Sequence, residues 1–568
     1  MGKRTLENRG KKLNCFKVFC AILTIMILIA VVVFSVNEIL NSDKNEEEKE
    51  NNFENNFSVE NEQVEEKTME DVVAEFGAVI IENVKDDTCY ASKDGKDYTI
   101  YLDGEIVEGK IVPWNGDETK PAIEEDGNIS IYKASELAWV ANRVTSGEKN
   151  FSGITISLKN NIDLGARIKE DGSWEGNNWN AIIGFLDEIK SQENSNKEKS
   201  VETTGTEENS VTTNENLKRF AGTFNGNNFS IRGMKIENNK RYQGLFGALS
   251  GTITDLTIKY SKINGGDTVG AIVGLNEGNI SNCKVENTEI SGTKKVGGIA
   301  GVSMTGTTID NSETSETTIV TGETYVGGII GYINNNAIIK NCKNFAEIKG
   351  KEYVGGVTGI AFYGTELSSC FNGSKTINGE NYIGGIAGYS AAHIVKSYNQ
   401  NLNDNNCVVT GKNYVGGIVG LNYEMGDITE CFNNGKIIVL EDNCGGIVGL
   451  NNATISNCYN KGEIDCTQTK GLKIGGICGQ NTSECSIYNS YNIGKINNVS
   501  YAGGIVGADF GTISNSFCLE NCLSNKTGDI NYNKTEEEMK NSIFENLGIC
   551  FKHDSENVND GYPILNWQ

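Results

Sequence analysis

Gly416-Gly417-Ile418-Val419-Gly420 opens a stretch that runs through Ile428-Thr429-Glu430-Cys431-Phe432-Asn433 to Lys436-Ile437-Ile438-Val439, and starts again at Gly445-Gly446-Ile447-Val448-Gly449. Three short apolar segments separated by polar turns fill each unit, and none has the three-to-four-residue spacing of a helix. The glycine mark recurs as Gly244-Leu245-Phe246-Gly247, Gly270-Ala271-Ile272-Val273-Gly274, Gly297-Gly298-Ile299-Ala300-Gly301 and Gly327-Gly328-Ile329-Ile330-Gly331. It continues at Gly355 to Gly359, Gly384 to Gly388, Gly475 to Gly479 and Gly503 to Gly507. The mean period is about 29 residues. Three short strands in a fixed period make one coil of a parallel β-helix. The expected fold is therefore all-β, a β-solenoid of about ten glycine-rich coils with small helical caps.

Coils stacked at about 4.8 Å place equivalent residues in ladders. One ladder is Cys283, Ser312, Cys342, Cys370, Ser397, Cys431, Cys458, Ser490 and Ser516, always small and suited to the interior. Two residues further on stand Asn344, Asn372, Asn399, Asn433, Asn460 and Asn492, whose amides can hydrogen-bond from coil to coil. Stacked cysteines have parallel Cβ vectors at the ladder spacing, longer than the roughly 3.8 Å a disulfide prefers, so free thiols are expected.

Phe371, Tyr398, Phe432, Tyr459, Tyr491 and Phe517 each follow the small-residue ladder by one position and should face outward. A second row, Tyr325, Tyr353, Tyr382, Tyr414 and Tyr501, precedes the glycine marks. Stacked aromatics can simply stabilise the sheet. They can also form a face for a glycan or a protein ligand. Both readings stay open at this level.

The repeats proper span 218–530, and a polar insert at 186–217 is expected to be disordered. Residues 130–185 should hold an N-terminal cap and the first β-helix strands, with a helix over 135–146 that places Leu137, Val140, Ala141 and Val144 on one face. Thr535 to Glu538 is a capping-box start for a helix within a C-terminal cap at 531–568. Residues 71–129 read as a small β-rich segment, and 37–70 as an acidic, disordered stalk. Residues 18–36 are almost unbroken in apolarity, follow a basic tail at 1–17 and precede acidic residues. That pattern predicts one transmembrane helix with its N-terminus cytoplasmic and the remainder outside. The alternative is a signal peptide cleaved near Val33-Phe34-Ser35, giving a secreted chain.

The sequence carries 50 Lys+Arg against 75 Asp+Glu, a net charge of −25, which argues against a nucleic-acid partner. Sixty-seven glycines beside three prolines suit ordered turns rather than a linker or collagen. No zinc spacing or phosphate loop is present, so no metal or cofactor is expected. Catalysis has few candidates. No arginine follows Arg241, the only histidines are His393 and His553, and Glu424, Asp427 and Asp509 are not aligned as a pair.

The glycine marks, the Asn-Cys marks, the leader Glu136-Leu137-Ala138-Trp139-Val140-Ala141 and the ending Gly561-Tyr562-Pro563-Ile564-Leu565-Asn566-Trp567-Gln568 together resemble the GLUG-motif surface proteins of bacteria. The resemblance covers roughly 130–568. It implies a β-helical extracellular region, in some members attached to metalloproteases that cleave immunoglobulin A. No His-Glu-x-x-His occurs here, so that activity does not carry over. The expectation is a membrane-tethered surface binding or adhesion protein. The alternatives are a carbohydrate-active β-helix enzyme (a polysaccharide lyase or hydrolase) and a structural surface spacer.

Overall fold

The computed structural model describes residues 67–85, 87–169, 171–179, 183, 217–400, 407–466, 473–497, 502–523 and 532–568. The expected tail at 1–17, membrane helix at 18–36, nearly all of the stalk and the insert, and Tyr501 lie outside the described residues. Among the described residues no helix is long and apolar enough to cross a membrane.

The chain divides into two units, Met1–Val112 with Arg167–Gly176, and Pro113–Ala166 with Asn177–Gln568. In the first unit, helix α1 (Met69–Phe76) precedes four antiparallel strands, β1 (Val79–Lys85), β2 (Thr88–Lys93), β3 (Lys96–Tyr101) and β4 (Ile106–Glu108). The sequence reading gave this segment strands only. The overlooked helix starts at Thr68, whose hydroxyl accepts from Asp71 N at 3.2 Å while the Asp71 carboxylate accepts from Thr68 N at 2.8 Å. Met69, Val72 and Val73 pack it onto Cys89, Ala91 and Ile100.

The second unit is the solenoid. Its first face is a 14-stranded sheet running from Ala122–Ile123 to Thr512–Ser514. Only the entry pair, Ala122–Ile123 with Ile129–Ile131, is antiparallel. Past that entry pair the array has about twelve turns, more than the ten expected from the glycine marks. Thr155–Leu158 and Thr223–Asn225 already form coils without a Gly-Gly-Ile mark, and pair in register as Ile156↔Phe224↔Ile253. A second face of 10 parallel strands runs from Phe246–Leu249 to Val506–Asp509. The third face has long strands that bend round corners. Lys436–Gly445, for instance, pairs with both Ile464–Asp465 and Ile474–Gly475.

Register confirms the stacking. Gly384, Gly416, Gly445, Gly475 and Gly503 are successive rungs. Glycine is required there by close approach: a Cβ on Gly417 would lie 2.1 Å from Gly446 O, and one on Gly416 2.0 Å from Val419 O. The small-residue ladder is interior, with Cys342, Cys370, Cys431 and Cys458 fully buried and every described cysteine free. The residue before each of its members takes a left-handed turn, φ 54° at Asn282, 45° at Asn311, 55° at Asn341 and 52° at Asn457. Asparagine tolerates that region better than most residues, which explains the Asn-Cys pairs.

The asparagine ladder is continuous. Each Nδ2 donates to the next Oδ1, from Asn344 to Asn372 at 2.8 Å, Asn372 to Asn399 at 2.7 Å, Asn399 to Asn433 at 2.8 Å, Asn433 to Asn460 at 2.8 Å and Asn460 to Asn492 at 2.9 Å. A second ladder, not anticipated, links Asn422, Asn451, Asn481 and Asp509 at 2.8–2.9 Å on the second face.

The N-terminal end of the core is covered by α2 (Ala134–Thr145), which buries Leu137, Val140, Ala141 and Val144. At the other end Asn533–Lys534 pairs with Cys518–Leu519, and α3 (Glu536–Asn541) follows with the expected Thr535–Glu538 capping box.

Candidate functional site

The first aromatic row lies outside the main core, as its position after the inward ladder requires. Its rings stack along the axis: Tyr398–Phe432 at 4.9 Å, Phe432–Tyr459 at 5.0 Å and Tyr459–Tyr491 at 5.1 Å, the last two within 5° of parallel. The row is not open surface, however. The C-terminal segment folds back along it, and Met539, Ile543, Leu547, Phe551 and Leu565 make a second core with Phe432, Tyr459 and Tyr491. Phe371 and Phe432 are buried, Tyr398 and Phe517 half-buried. Polar tips are paired under this roof. Gln568 Nε2 donates to the Tyr459 hydroxyl at 2.9 Å, Asn559 Nδ2 to the Tyr491 hydroxyl at 2.8 Å, and that hydroxyl donates to Pro563 O. Trp567 stacks on Phe432 at 5.8 Å and donates through Nε1 to Glu430 O at 3.2 Å. The expected C-terminal cap therefore also clads a flank.

The second row has no such cover. Tyr325, Tyr353, Tyr382 and Tyr414 are half-buried and all take left-handed backbone conformations, φ 59°, 54°, 61° and 57°. For a non-glycine residue that costs about 1–2 kcal/mol. Their rings stack at 5.3, 4.8 and 4.8 Å, the last two pairs within 8° of parallel. Parallel rings occupy one another's faces, so this row turns ring edges and hydroxyls to solvent.

Beside it runs a feature the sequence reading missed, the outward ladder of the second face: Ala248, Leu275, Val302, Tyr332, Ile360, Tyr389, Leu421, Leu450, Gln480 and Ala508. None of the ten is charged. The signal was available, one residue past the closing glycine of each mark, but without the strand register its parity was ambiguous. Leu217, Tyr242 and Met304 pack over its start. Further along, Tyr332, Tyr389, Leu421 and Leu450 are half-buried. The flanking loops add Phe362 and Tyr423, with Tyr363 50% and Met425 83% exposed. Burial pushes the Tyr332 and Tyr353 phenols up to about 12, so they are neutral donors at ordinary pH.

A cleft of about 520 Å³ opens on the third face, lined by Glu286, Glu313, Thr314, Ser315, Glu316, Thr317, Phe345 and Lys375 among others. It lies where the corner of the coil changes shape. Lys284–Ser291 is one continuous strand, whereas its neighbour breaks into Glu313–Thr314 and Ile319–Thr321 around a loop. Glu313 is engaged by Lys284 at 2.6 Å.

The other polar candidates are not gathered. His393 Nδ1 lies 2.7 Å from Asp427 Oδ2 in a half-exposed cross-coil pair. Asp509 ends the second asparagine ladder, and Glu424 is exposed. Among the described residues no group of three His, Cys, Asp or Glu side chains could hold a metal.

The family model for the GLUG motif matches residues 411–438, nearly one whole coil, from the end of Val408–Gly416 through the glycine mark, Val419–Asn422 and Asp427–Thr429 to the start of Lys436–Gly445. The chain is a GLUG-repeat protein. Its GLUG unit corresponds to the interval between the left-handed Tyr414 and the third-face strand that starts at Lys436. No curated protein matches the chain. A solved structure of a candidate immunoglobulin A1 protease from Bacteroides ovatus aligns over 80% of this GLUG-repeat chain and 98% of its own, at 16% identity and a TM-score of 0.25. At that score the likeness bears on neither fold detail nor activity.

Proposed function

We propose that this GLUG-repeat β-solenoid is a surface-displayed binding protein, tethered by the apolar run at 18–36 with its repeats outside the cell. The observation that carries the binding reading is the aromatic face of Tyr325, Tyr353, Tyr382 and Tyr414 beside Tyr332 and Tyr389. It is half-exposed, spans several coils and lies clear of the C-terminal roof. An apolar surface of this extent, kept on a soluble array with net charge −25, suits a partner better than water. The apolar run with its basic N-terminal flank supports the tether.

The test is binding of the full chain to a glycan array and to intact cells, compared with Tyr353→Asn/Tyr382→Asn. Asparagine keeps the left-handed backbone while removing the rings. Loss of at least about tenfold is expected, since truncating central aromatics costs ~1–2 kcal/mol or more. Binding that survives both substitutions would rule out this aromatic face as the binding surface, and absence of any binding would leave the spacer reading.

A second reading, a carbohydrate-active enzyme, is favoured by one observation: Glu286 and Glu316 line the same cleft as Phe345. Glycoside hydrolysis needs two carboxylates flanking the bond. Release of reducing sugar from acidic or neutral polysaccharides, abolished in both Glu286→Gln and Glu316→Gln, would establish it. No release on any substrate sets it aside.

A further inference from the structure

The third face and its turns are bridged by ion pairs from coil to coil, Lys284–Glu313 at 2.6 Å, Lys351–Glu323 at 2.8 Å and Lys412–Glu380 at 3.0 Å. The first face carries Lys340–Asp310 at 3.3 Å and the His393–Asp427 pair. The outer ladder of the second face carries no charge over ten rungs, in a chain where 22% of residues are charged. From Tyr332 to Leu450 that ladder is apolar on every rung and half-open to solvent on four of five. We infer that this face, whose outer ladder is uncharged between Tyr332 and Leu450, docks a second copy of the same solenoid. This rests on the binding reading above and names its partner.

Two observations choose that occupant. The first is periodicity. The face repeats one side chain per coil, about every 4.8 Å, so ridges and grooves along the axis have the strand spacing. A globular surface meets such a comb at one or two teeth, whereas a second solenoid of the same pitch can meet it on every coil, as facing sheets do in stacked β structures. The second is charge. Two chains of −25 repel each other over most of their surface, and along this ladder the charges that come near are few: Glu352 and Glu424 at its margins and Lys295 over the Tyr332 ring. A basic partner would instead be drawn to the acidic exterior elsewhere.

The area sets the strength. Five rungs cover about 20 Å along the axis, and with the tyrosine row the patch is about 20 Å wide, so each copy buries roughly 400 Å². The total of roughly 800 Å² is below the ~1,200–2,000 Å² of stable complexes. One contact is therefore weak, and many copies on a surface hold together by multivalency. The sign of the salt response also follows. Raising salt from about 0.01 M to about 1 M shortens the screening length from ~30 Å to ~3 Å and removes the repulsion, so association should strengthen.

Beads carrying the full chain through its N terminus are mixed and their clustering is followed by light scattering. Wild-type beads should cluster, faster at about 1 M than at about 0.01 M NaCl. Leu421→Glu/Leu450→Glu beads should cluster at least about tenfold more slowly and stay out of wild-type clusters. Thr454→Lys on the first face should behave as wild type. Far-UV circular dichroism matching wild type shows that the variants are folded, and Gln at both positions supplies a milder, uncharged variant with an intermediate rate. Three results would overturn self-docking: no wild-type clustering, clustering that weakens with salt, or Glu variants that cluster like wild type. The same beads on cells and on the glycan array separate the two failures. Beads that bind those targets but not one another remove only the self-docking. Beads that bind nothing remove the binding reading as well.

Discussion

The interior asparagine ladder gives a calculable perturbation at Asn433. Its Oδ1 accepts from Asn399 Nδ2 at 2.8 Å and from Gly435 N at 3.1 Å, and its Nδ2 donates to Asn460 Oδ1 at 2.8 Å and to Gly435 O at 3.0 Å. Asn433→Leu keeps the branched shape and deletes all four bonds. Asn460 Oδ1 keeps Gly462 N at 3.1 Å. Asn399 Nδ2 and the Gly435 amide are left as buried donors without an acceptor. Each orphan costs about 1–3 kcal/mol, so the sum is about 2–6 kcal/mol. Coils contact only their neighbours, so the damage should be local rather than global. Hydrogen exchange is the suitable assay. About 4 kcal/mol lowers protection roughly a thousandfold at Gly435 and its neighbours, while coils near Ile253 keep theirs. An Asn433→Leu chain with exchange at Gly435 within about fivefold of wild type, about 1 kcal/mol, would refute the claim that side-chain amides hold the coils together.

Four further outcomes follow from the same geometry. Burial pushes the Cys283 and Cys370 thiols up to about 12 from an ordinary 9.0, so native ladder cysteines should resist a maleimide at pH 8 while half-buried Cys550 labels first. Because those thiols keep their protons in the folded chain and lose them in the unfolded one, their contribution is whole below pH 9 and is lost as pH rises towards 12; the midpoint of thermal unfolding should fall steeply across that window. Trp567→Ala should cost about 2 kcal/mol at the roof's edge and raise binding of a hydrophobic dye by uncovering Tyr398 and Phe432, whereas an unchanged dye signal would mean the roof does not depend on it. Gly417→Ala, whose Cβ would meet Gly446 O at 2.1 Å, should cost about 3 kcal/mol or more and yield little soluble protein; normal yield and melting would contradict the close stacking.

How much of this was legible in the sequence depended on whether a residue's neighbours are its own repeats. Cys431 and Asn433 are surrounded by their equivalents one coil away, so the period alone places them inside and in line. The same logic put Tyr398 and Tyr459 outside the main core, correctly as to direction. What lies over them is another matter. Trp567 and Gln568 reach Phe432 and Tyr459 from more than 100 residues away in sequence, and no repeat encodes that contact. The two coils before Gly244 were placed in the β-helix but left out of the count of ten, because Phe224 and Ile156 do the work of the ladder without a glycine mark beside them. The helix at Met69–Phe76 was overlooked for a smaller reason, a capping box closed by Asp rather than Glu in the middle of acidic sequence.

That asymmetry bears on where a ligand can act. A solenoid's inward positions answer to its own coils, so their residue choice reports packing and little else. Outward positions are free of that demand, and here they diverge by face. The flank of Phe432, Tyr459 and Tyr491 is apolar because a segment of the same chain lies on it. The outer ladder at Tyr332, Tyr389, Leu421 and Leu450 has the same chemistry, and only its beginning, at Ala248, Leu275 and Val302, is covered by Leu217 and Met304. Within one molecule, then, an outward apolar row is accompanied by a cover wherever a cover is seen. The uncovered length of the second face is the place where the fold itself sets the pattern for an external partner, and the Leu421→Glu/Leu450→Glu beads ask whether that partner is another copy.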